Sequence, residues 1–286
     1  MGPQGARGYW IFRPAGVKFG ERLPLMVMLH GCHQDAKSFA ASTRMNAIAA
    51  SQRFLVLYPE QDRLSNAQGC WNWFDTKSGR AHGEAASILL VVDQVCGLDA
   101  ADRERVAIAG LSAGASMAAL VAIRYPTRFK AVAMHSGVPP GAAHSPLSAV
   151  GAMLGNRRIP QPHASESSKN ECPPLLVIHG SVDAVVSIQN ADAAARRWSD
   201  AVGAREGMPR EVRRGQRYPM TVTDFKCARS IVATLVQIEC LGHAWSGGAG
   251  NQNFSDQKGP DASRMIWTFA AKQFGRSAVA QVGNAS

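Results

Sequence analysis

The sequence lacks long apolar runs, and this absence argues against a membrane-spanning helix. Such a helix needs about 18 to 20 consecutive uncharged residues, whereas the apolar runs at 25–29 and 88–95 are short and end at turn residues or charges. The first residues, Met1–Gly8, also lack the apolar stretch of about 7 to 15 residues that marks a secretory signal. We expect a soluble protein that is either cytoplasmic or has had its leader removed.

Acidic residues are scarce as well. There are 21 Asp and Glu against 31 Lys and Arg, which gives a formal net charge of +10 and a pI near 9.7. The basic residues are scattered, and only 196–197 and 205–217 are locally dense. Scattered charge is typical of a solvated surface rather than of a nucleic-acid site. We therefore expect no nucleic-acid partner and no membrane partner, and the oligomeric state is left open.

Motifs for metals and cofactors are missing too. None of the six cysteines lies in a CxxC or Cys/His zinc spacing, and the sequence has neither HExxH nor a phosphate-binding loop. We therefore expect no metal and no organic cofactor. Cys96 falls in an apolar helical pattern and is expected to be buried. The even cysteine count, with Cys32, Cys70 and Cys172 in loops, favours an oxidising compartment over the cytoplasm.

What the sequence does contain is a regular alternation of short apolar runs with helical patterns. This alternation predicts an α/β fold, with a mostly parallel central sheet and helices on both faces. With 286 residues and 46% hydrophobic content, there is room for one domain, predicted over 9–275, followed by a flexible tail at 276–286. Two stretches of weak periodicity, 136–174 and 203–230, are predicted as loop insertions over the carboxyl ends of the strands.

The predicted elements can be given residue by residue. Strands are predicted at 9–13, 25–30, 54–58, 105–109, 130–135, 175–179 and 235–239, and helices at 39–52, 84–97, 113–125, 189–202 and 261–274.

The segment Gly110-Leu-Ser-Ala-Gly114 stands between a predicted strand and a predicted helix. In that context GxSxG forms a tight turn that exposes the serine hydroxyl above the sheet, with glycines where the two backbones come close. Without its flanks the pattern is weak, and a structural Gly/Ser turn is the alternative. The flanks favour Ser112 as a nucleophile.

A serine nucleophile needs a histidine base and a carboxylate that orients the base, which follow the serine in that order in folds of this kind. Asp183 ends a buried strand and its turn, and His243 lies just after the last predicted strand. They are the predicted acid and base. The other acids and histidines considered are Asp192, Asp224, His30, His179, His144 and His163, and each lacks the required order or strand-end position.

The oxyanion of the intermediate needs two backbone N–H donors. Ala113, directly after the serine, is predicted to supply one. The other is expected from the loop that follows strand 25–30, with Cys32 as first choice and His33 or Gln34 as alternates. Trp71, Trp73 and Trp245 are interpreted as walls of a substrate pocket, with core packing as the alternative for Trp73.

Taken together, these segments resemble the α/β-hydrolase family of poly(3-hydroxybutyrate) depolymerase catalytic domains and related feruloyl and acetylxylan esterases. The resemblance covers roughly Tyr9–Phe274. It rests on Pro24–Cys32, Arg44–Asn46, Tyr58–Glu60, Cys70–Phe74, Gly83–Glu84, Gly110–Met117, His135–Gly137, His179–Gly180 with Asp183, and Gly242–Trp245.

The resemblance implies hydrolysis of carboxylic esters, with Ser112, Asp183 and His243 matching the family's triad and Cys32 its oxyanion loop. The expected substrate is a short-chain 3-hydroxyalkanoate oligoester or polyester, and the alternative is a feruloyl or acetylxylan ester. His33 departs from the small polar residue often found there in the family. Extracellular depolymerases continue into a polymer-binding module, which this sequence does not include, and this argues against efficient attack on solid polymer.

Two other classes of protein, a peptidase and a non-catalytic binding protein, are alternatives to an esterase. A peptidase is disfavoured because the large propeller domain of the oligopeptidases is missing. A non-catalytic binding protein is disfavoured because all three triad residues are present.

Cys32 and Cys70 both fall in predicted active-site loops, which suggests a disulfide between them.

Overall fold

The structure is a computed structural model that describes residues 7–155 and 172–283, with only the backbone described beyond residue 275. It contains a ten-stranded sheet in the order β1-β3-β2-β4-β5-β6-β10-β9-β7, with β8 also paired to β9. The strands are β1 (Tyr9–Phe12), β2 (Leu23–Leu29), β3 (Leu55–Pro59), β4 (Ala101–Leu111), β5 (Ala131–His135), β6 (Leu175–Gly180), β7 (Arg205–Glu206), β8 (Arg210–Val212), β9 (Met220–Cys227) and β10 (Ser230–Ile238). A separate pair is formed by β11 (Trp245–Ser246) and β12 (Ser255–Asp256).

The strands from β3 to β10 in this order are parallel to their neighbours, whereas β1 and the strands beyond β10 are antiparallel. The central strands β2, β3, β5 and β6 are buried along their whole length. Such continuous apolar runs are typical of a parallel sheet that is covered on both faces. The predicted fold class is confirmed.

The helices cover the sheet in two layers. They are α1 (Ala36–Thr43), α2 (Met45–Gln52), α3 (Arg80–Leu98), α4 (Ala113–Arg124), α5 (Pro146–Met153), α6 (Gln189–Asp200) and α7 (Ala262–Gly283), with a 3-10 turn at Pro126–Arg128. Leu25, Val27 and Leu29 of β2 pack with α3, α4 and α6, whereas Met26 and Met28 pack with α1, α2 and α7. Alternate residues of one strand thus serve the two opposite cores.

The stretch 203–230 is not the loop insertion that we predicted. It forms β7, β8 and β9, which extend the sheet in antiparallel fashion beyond β10. β7 and β8 are short, and all three strands are partly exposed, so they lack the continuous apolar run that identified the central strands. In the other insertion, α5 was not predicted, and residues 156–171, which include His163, lie outside the described residues.

Two helix boundaries differ from the prediction. The helix predicted at 39–52 is split into α1 and α2 because Arg44 adopts a left-handed conformation with a φ of 57°. The final helix, predicted to end at Phe274, continues to Gly283 and so occupies most of the predicted tail. Within the part of the chain described, no helix combines the length and apolarity needed to cross a bilayer.

The parallel arrangement gathers the functional candidates. β4, β6 and β10 belong to one parallel set, so their carboxyl ends lie at the same edge of the sheet. Ser112 follows β4, Asp183 follows β6, and His243 follows β10. Ligands bind at this edge in folds of this class.

Candidate active site

Ser112 occupies a sharp turn between β4, which ends at Leu111, and α4, which begins at Ala113. Its φ is 55° and its ψ is −120°, a left-handed conformation that costs a residue with a side chain about 1 to 3 kcal/mol. The turn is held by the Ser112 N–H, which donates to the His135 carbonyl at 2.9 Å. Residues 111 and 113–119 are buried while Ser112 is partly exposed, so the turn presents this side chain to the edge.

Two glycines make the turn possible. A Cβ at Gly110 would lie 2.4 Å from the backbone of Gly114, and a Cβ at Gly114 would lie 2.2 Å from the Leu29 carbonyl oxygen and 2.4 Å from that of His30. Real Cβ atoms do not approach backbone atoms so closely. The first turn of α4 therefore packs directly against the end of β2, as the GxSxG pattern predicts.

Asp183 and His243 form the pair that the sequence predicts. The Nδ1 of His243 lies 2.8 Å from Oδ2 of Asp183. The Asp183 side chain is fully buried, whereas that of His243 keeps 12% exposure. The carboxylate therefore orients the ring while the ring remains accessible from the edge of the sheet.

The rest of the Asp183 carboxylate is also hydrogen-bonded. Oδ1 accepts the backbone N–H groups of Val185 at 2.9 Å and Val186 at 2.8 Å, and Nε2 of His179 lies 3.4 Å from Oδ2. Burial raises the pKa of Asp183, but the hydrogen bonds from His179, His243 and Val186 lower it more and leave it well below its usual range. Asp183 is thus held as a carboxylate.

His135 is a buried histidine that packs next to the site. The Ser246 N–H donates to Nε2 of His135 at 3.1 Å, and the ring stacks on Trp245. Burial and the nearby charges of His179 and His243 lower the pKa of His135 to about 3. His135 thus contacts the Ser112 turn through its carbonyl and the segment that follows His243 through its ring. Sequence reasoning assigned His135 no role of its own, although its position at the end of β5 was the available signal.

The loop after β2 lies against the nucleophile. A Cβ at Gly31 would lie 3.6 Å from Cβ of Ser112. The N–H of His33 is bonded to the Gln68 carbonyl at 2.8 Å, and the N–H of Gln34 to the Gly31 carbonyl at 3.3 Å. Among the described residues, the N–H groups of Cys32 and Ala113 have no such partner. This favours Cys32 over its two alternates as an oxyanion donor.

Cys32 is also joined covalently to the neighbouring loop. A disulfide connects it to Cys70, with an S–S distance of 2.07 Å, as the loop placement of the two cysteines suggested. The expectation that Cys96 is buried is confirmed as well.

The three tryptophans are not pocket walls in this structure. Trp71 and Trp245 have no exposed surface, and Trp73 is 8% exposed. The Trp71 indole N–H donates to the His30 carbonyl at 3.1 Å, and that of Trp245 donates to Ser263 at 3.1 Å. The interpretation as substrate contacts is wrong for Trp71 and Trp245, because both rings are fully buried in the core. For Trp73, burial agrees with the core-packing alternative.

The competing acids and histidines lie in other settings. Asp192 pairs with Arg196 on the exposed face of α6 at 2.8 Å, and Asp224 pairs with Arg210 at 2.6 Å. His30 is buried under the loop after β2. His144 is exposed and bonds Thr76 at 3.0 Å.

The architecture agrees with that of solved esterases. An acetyl xylan esterase from Aspergillus awamori superimposes with a TM-score of 0.68 at 20% identity, covering 83% of this chain and 89% of that one. Est1E from Butyrivibrio proteoclasticus gives a TM-score of 0.56 at 16% identity, covering 93% and 94%. The chain therefore has the α/β-hydrolase fold.

The family follows from the sequence match. Residues 7–213 match the family described as Esterase PHB depolymerase, and the chain belongs to that family.

Curated relatives have several names. Poly(3-hydroxyalkanoate) depolymerase C of Paucimonas lemoignei is 35% identical over 188 residues, covering 63% of this chain but only 45% of that protein. Feruloyl esterase B of Thermothelomyces thermophilus is 28% identical over 63% of this chain and 66% of its own length. Acetylxylan esterase A of Emericella nidulans is 28% identical over 72% and 70%. The chain thus spans less than half of the depolymerase and about two thirds of the feruloyl esterase.

The close approach at Gly114 predicts that Gly114→Ala is destabilising. The added methyl would overlap the carbonyl oxygens of Leu29 and His30 at the end of β2, and overpacking of this kind costs about 3 kcal/mol. Denaturant unfolding should show this loss in the free energy of unfolding. Gly151→Ala on α5, where a Cβ would have nothing within 4 Å, is the matched control and should be neutral or stabilising. Equal effects of the two changes would contradict the packing described here.

The buried Asp183 carboxylate predicts a specific effect of Asp183→Asn. Activity should fall about 10⁴-fold, as when the orienting acid of a triad becomes an amide. Because the pKa is lower in the folded chain, the carboxylate stabilises the fold above its unfolded value of about 3.9, and this contribution is lost as the pH falls below it.

The measurement is the free energy of unfolding at pH 7 and near pH 3, together with the rate of ester hydrolysis. The loss between the two pH values should be smaller in Asp183→Asn than in the wild type. Asp192→Asn, which alters an exposed ion pair, should match the wild type in both respects. An active Asp183→Asn enzyme would exclude Asp183 as the orienting acid.

Proposed function

We propose that this protein is a serine carboxylic ester hydrolase in which Ser112 is the nucleophile, His243 the general base and Asp183 the residue that orients it. The observation that carries the proposal is the 2.8 Å hydrogen bond between His243 and the buried Asp183, at the same sheet edge as the strained turn of Ser112. Membership of the Esterase PHB depolymerase family supports the same chemistry.

The reaction proceeds through an acyl-enzyme. Oγ of Ser112 attacks the ester carbonyl carbon while Nε2 of His243 takes the hydroxyl proton, and the N–H groups of Cys32 and Ala113 bind the oxyanion that forms. Collapse of the intermediate breaks the ester C–O bond, and His243 gives its proton to the departing alcohol. Water then attacks the acyl-serine with the same base, releasing the acid and regenerating Ser112.

The preferred substrate in this proposal is a short-chain 3-hydroxyalkanoate oligoester or polyester. The relative named Poly(3-hydroxyalkanoate) depolymerase C, at 35% identity, supports it. Val182 and Val185 flank Asp183 and are 60% and 46% exposed, which places apolar surface beside the orienting acid. Short apolar acyl chains suit such a surface.

A second candidate is an ester of the plant cell wall. Relatives named feruloyl esterase B and acetylxylan esterase A match this chain over a similar or larger share of its length. Feruloyl and acetyl groups are attacked by the same triad chemistry, so the triad alone favours neither substrate class.

We further propose that the protein works in an oxidising compartment outside the cytoplasm. The Cys32–Cys70 disulfide supports this, because disulfides persist mainly in such compartments.

The nucleophile is tested by Ser112→Ala. We expect hydrolysis of p-nitrophenyl butyrate to fall roughly 10⁴- to 10⁶-fold, since the triad acts as a unit. The far-ultraviolet circular dichroism and the unfolding midpoint should stay close to those of the wild type. Ser51→Ala, at a serine that bonds only within its own helix, is the matched control and should keep full activity. A folded Ser112→Ala protein with more than about a tenth of the activity would exclude Ser112.

The substrate class is tested in parallel assays of 3-hydroxybutyrate oligomers, polyhydroxybutyrate film, methyl ferulate and acetylated xylan. We expect the highest kcat/KM on the oligomers. A preference for ferulate or acetylxylan would replace the first substrate proposal with the second while leaving the triad in place. Ser112→Ala, run on every substrate, separates enzymatic from spontaneous hydrolysis.

A further inference from the structure

Glu84 is a buried carboxylate that the proposed mechanism does not use. It lies near the start of α3 with no exposed surface. Oε2 accepts the backbone N–H of Asn72 at 2.8 Å. Oε1 accepts Nδ2 of Asn72 at 2.6 Å and Nε2 of Gln61 at 2.8 Å. Every one of these groups donates to Glu84, so the carboxylate ties two points of the connection between β3 and α3 to the helix itself.

The partly buried guanidinium of Arg7 lies near enough to Glu84 to feel its charge. Burial lowers the pKa of Arg7, while the charge of Glu84 acts to raise it. The guanidinium of Arg7 donates to Oε1 of Gln61 at 2.7 Å and lies 4.8 Å from the ring centre of Trp71. Buried ionic clusters are often no more stabilising than apolar packing of similar volume. Stabilisation of the fold is therefore a weak explanation for the cluster of Glu84, Gln61 and Arg7. The positions in which it holds the surrounding backbone are a better one.

One connection runs from Glu84 to the first half of the loop that follows β2. The backbone N–H of Gln61 donates to Nε2 of His30 at 3.1 Å. In the neutral ring Nδ1 therefore carries the proton, and it donates to the Gly31 carbonyl at 2.9 Å. Burial lowers the pKa of His30 and favours this neutral form. The orientation of Gly31 thus depends on where Gln61 is held.

A second connection reaches the same loop through the disulfide. Nε2 of Gln61, which also binds Glu84, donates to the Cys70 carbonyl at 3.0 Å. Cys70 is bonded to Cys32, and the next residue, Trp71, donates to the His30 carbonyl at 3.1 Å. Asn72, which follows, is held by Glu84 at two atoms. Both sides of the Gly31–Cys32 peptide are therefore anchored to the same carboxylate.

We infer that Glu84 is a positioning residue that sets the direction of the Cys32 N–H group toward the oxyanion, acting through Gln61, His30 and the Cys32–Cys70 disulfide. The inference rests on the proposed function, because an oxyanion forms only if Ser112 attacks an ester. Substrate in its ground state makes little use of this donor, whereas the tetrahedral intermediate depends on it. Glu84 should therefore affect kcat rather than KM.

The test is Glu84→Gln, which keeps the shape of the side chain but places an NH₂ group against donors. Removal of one oxyanion donor lowers kcat about 10²- to 10³-fold. A donor that is displaced rather than removed should lower kcat by a smaller factor. We expect kcat on p-nitrophenyl butyrate to fall roughly 10- to 100-fold, with KM within about twofold of the wild type. The affinity for n-butylboronic acid, whose tetrahedral serine adduct also places an oxygen in the oxyanion site, should fall by a similar factor.

Two further variants separate positioning from general loss of stability. Thr234→Val on β10 removes a partly buried hydrogen bond to Asp224 on β9, remote from this loop, and should leave kcat and the boronate affinity unchanged. Asn72→Leu removes the side-chain donor to Glu84 while keeping the backbone N–H, and should reproduce the loss of kcat in weaker form. It also provides the test if Glu84→Gln does not fold.

The outcomes are distinct. A fall in kcat and in boronate affinity together in Glu84→Gln, or in Asn72→Leu where Glu84→Gln does not fold, with neither fall in Thr234→Val, supports the inference. Unchanged kcat or unchanged boronate affinity in that folded variant, or an equal loss in Thr234→Val, overturns it. A wild-type protein without esterase activity, or a fully active Ser112→Ala variant, would overturn the proposed function itself.

Discussion

The site depends on how closely the first turn of α4 packs against the end of β2. With only backbone between them at Gly114, the helix begins directly behind Leu29 and His30, and the chain has to turn at Ser112 with a positive φ. The same approach brings Gly31 against Ser112. The loop that carries Cys32 therefore lies next to the nucleophile, which Ala113 directly follows. One steric constraint thus joins the strained serine and the loop that would bind the oxyanion.

Two buried carboxylates, Asp183 and Glu84, hold other parts of the site in position, each in a different way. Asp183 is surrounded by donors from its own turn and from His179, and its exposed partner is the ring of His243. Glu84 faces donors on all sides and reaches the site only through other residues. A buried charge is costly unless it is fully hydrogen-bonded. The nearly complete bonding of both groups is therefore what makes them rigid supports.

Much of the site could be predicted because its signals are local. Ser112 lies in a strand–GxSxG–helix context, and Asp183 and His243 directly follow apolar runs. The parts that were missed depend on contacts between distant segments. The strands at 203–230 are partly exposed and have no strong period, so only their pairing with β10 identifies them. Trp71 and Trp245 are adjacent to site motifs in sequence, yet their rings point into the core, and no local pattern distinguishes the two faces of a loop. The role proposed for Glu84 likewise depends on its hydrogen bonds to Gln61 and Asn72, which sequence spacing does not encode.

The most direct test of the account is covalent labelling with diethyl p-nitrophenyl phosphate, which phosphorylates an activated serine hydroxyl much faster than an ordinary one. The account predicts that one diethylphosphoryl group is incorporated per chain, that peptide mass spectrometry places it on Ser112, and that esterase activity is lost in proportion to labelling. Labelling of another residue in step with inactivation, or full activity after Ser112 has been modified, would contradict it.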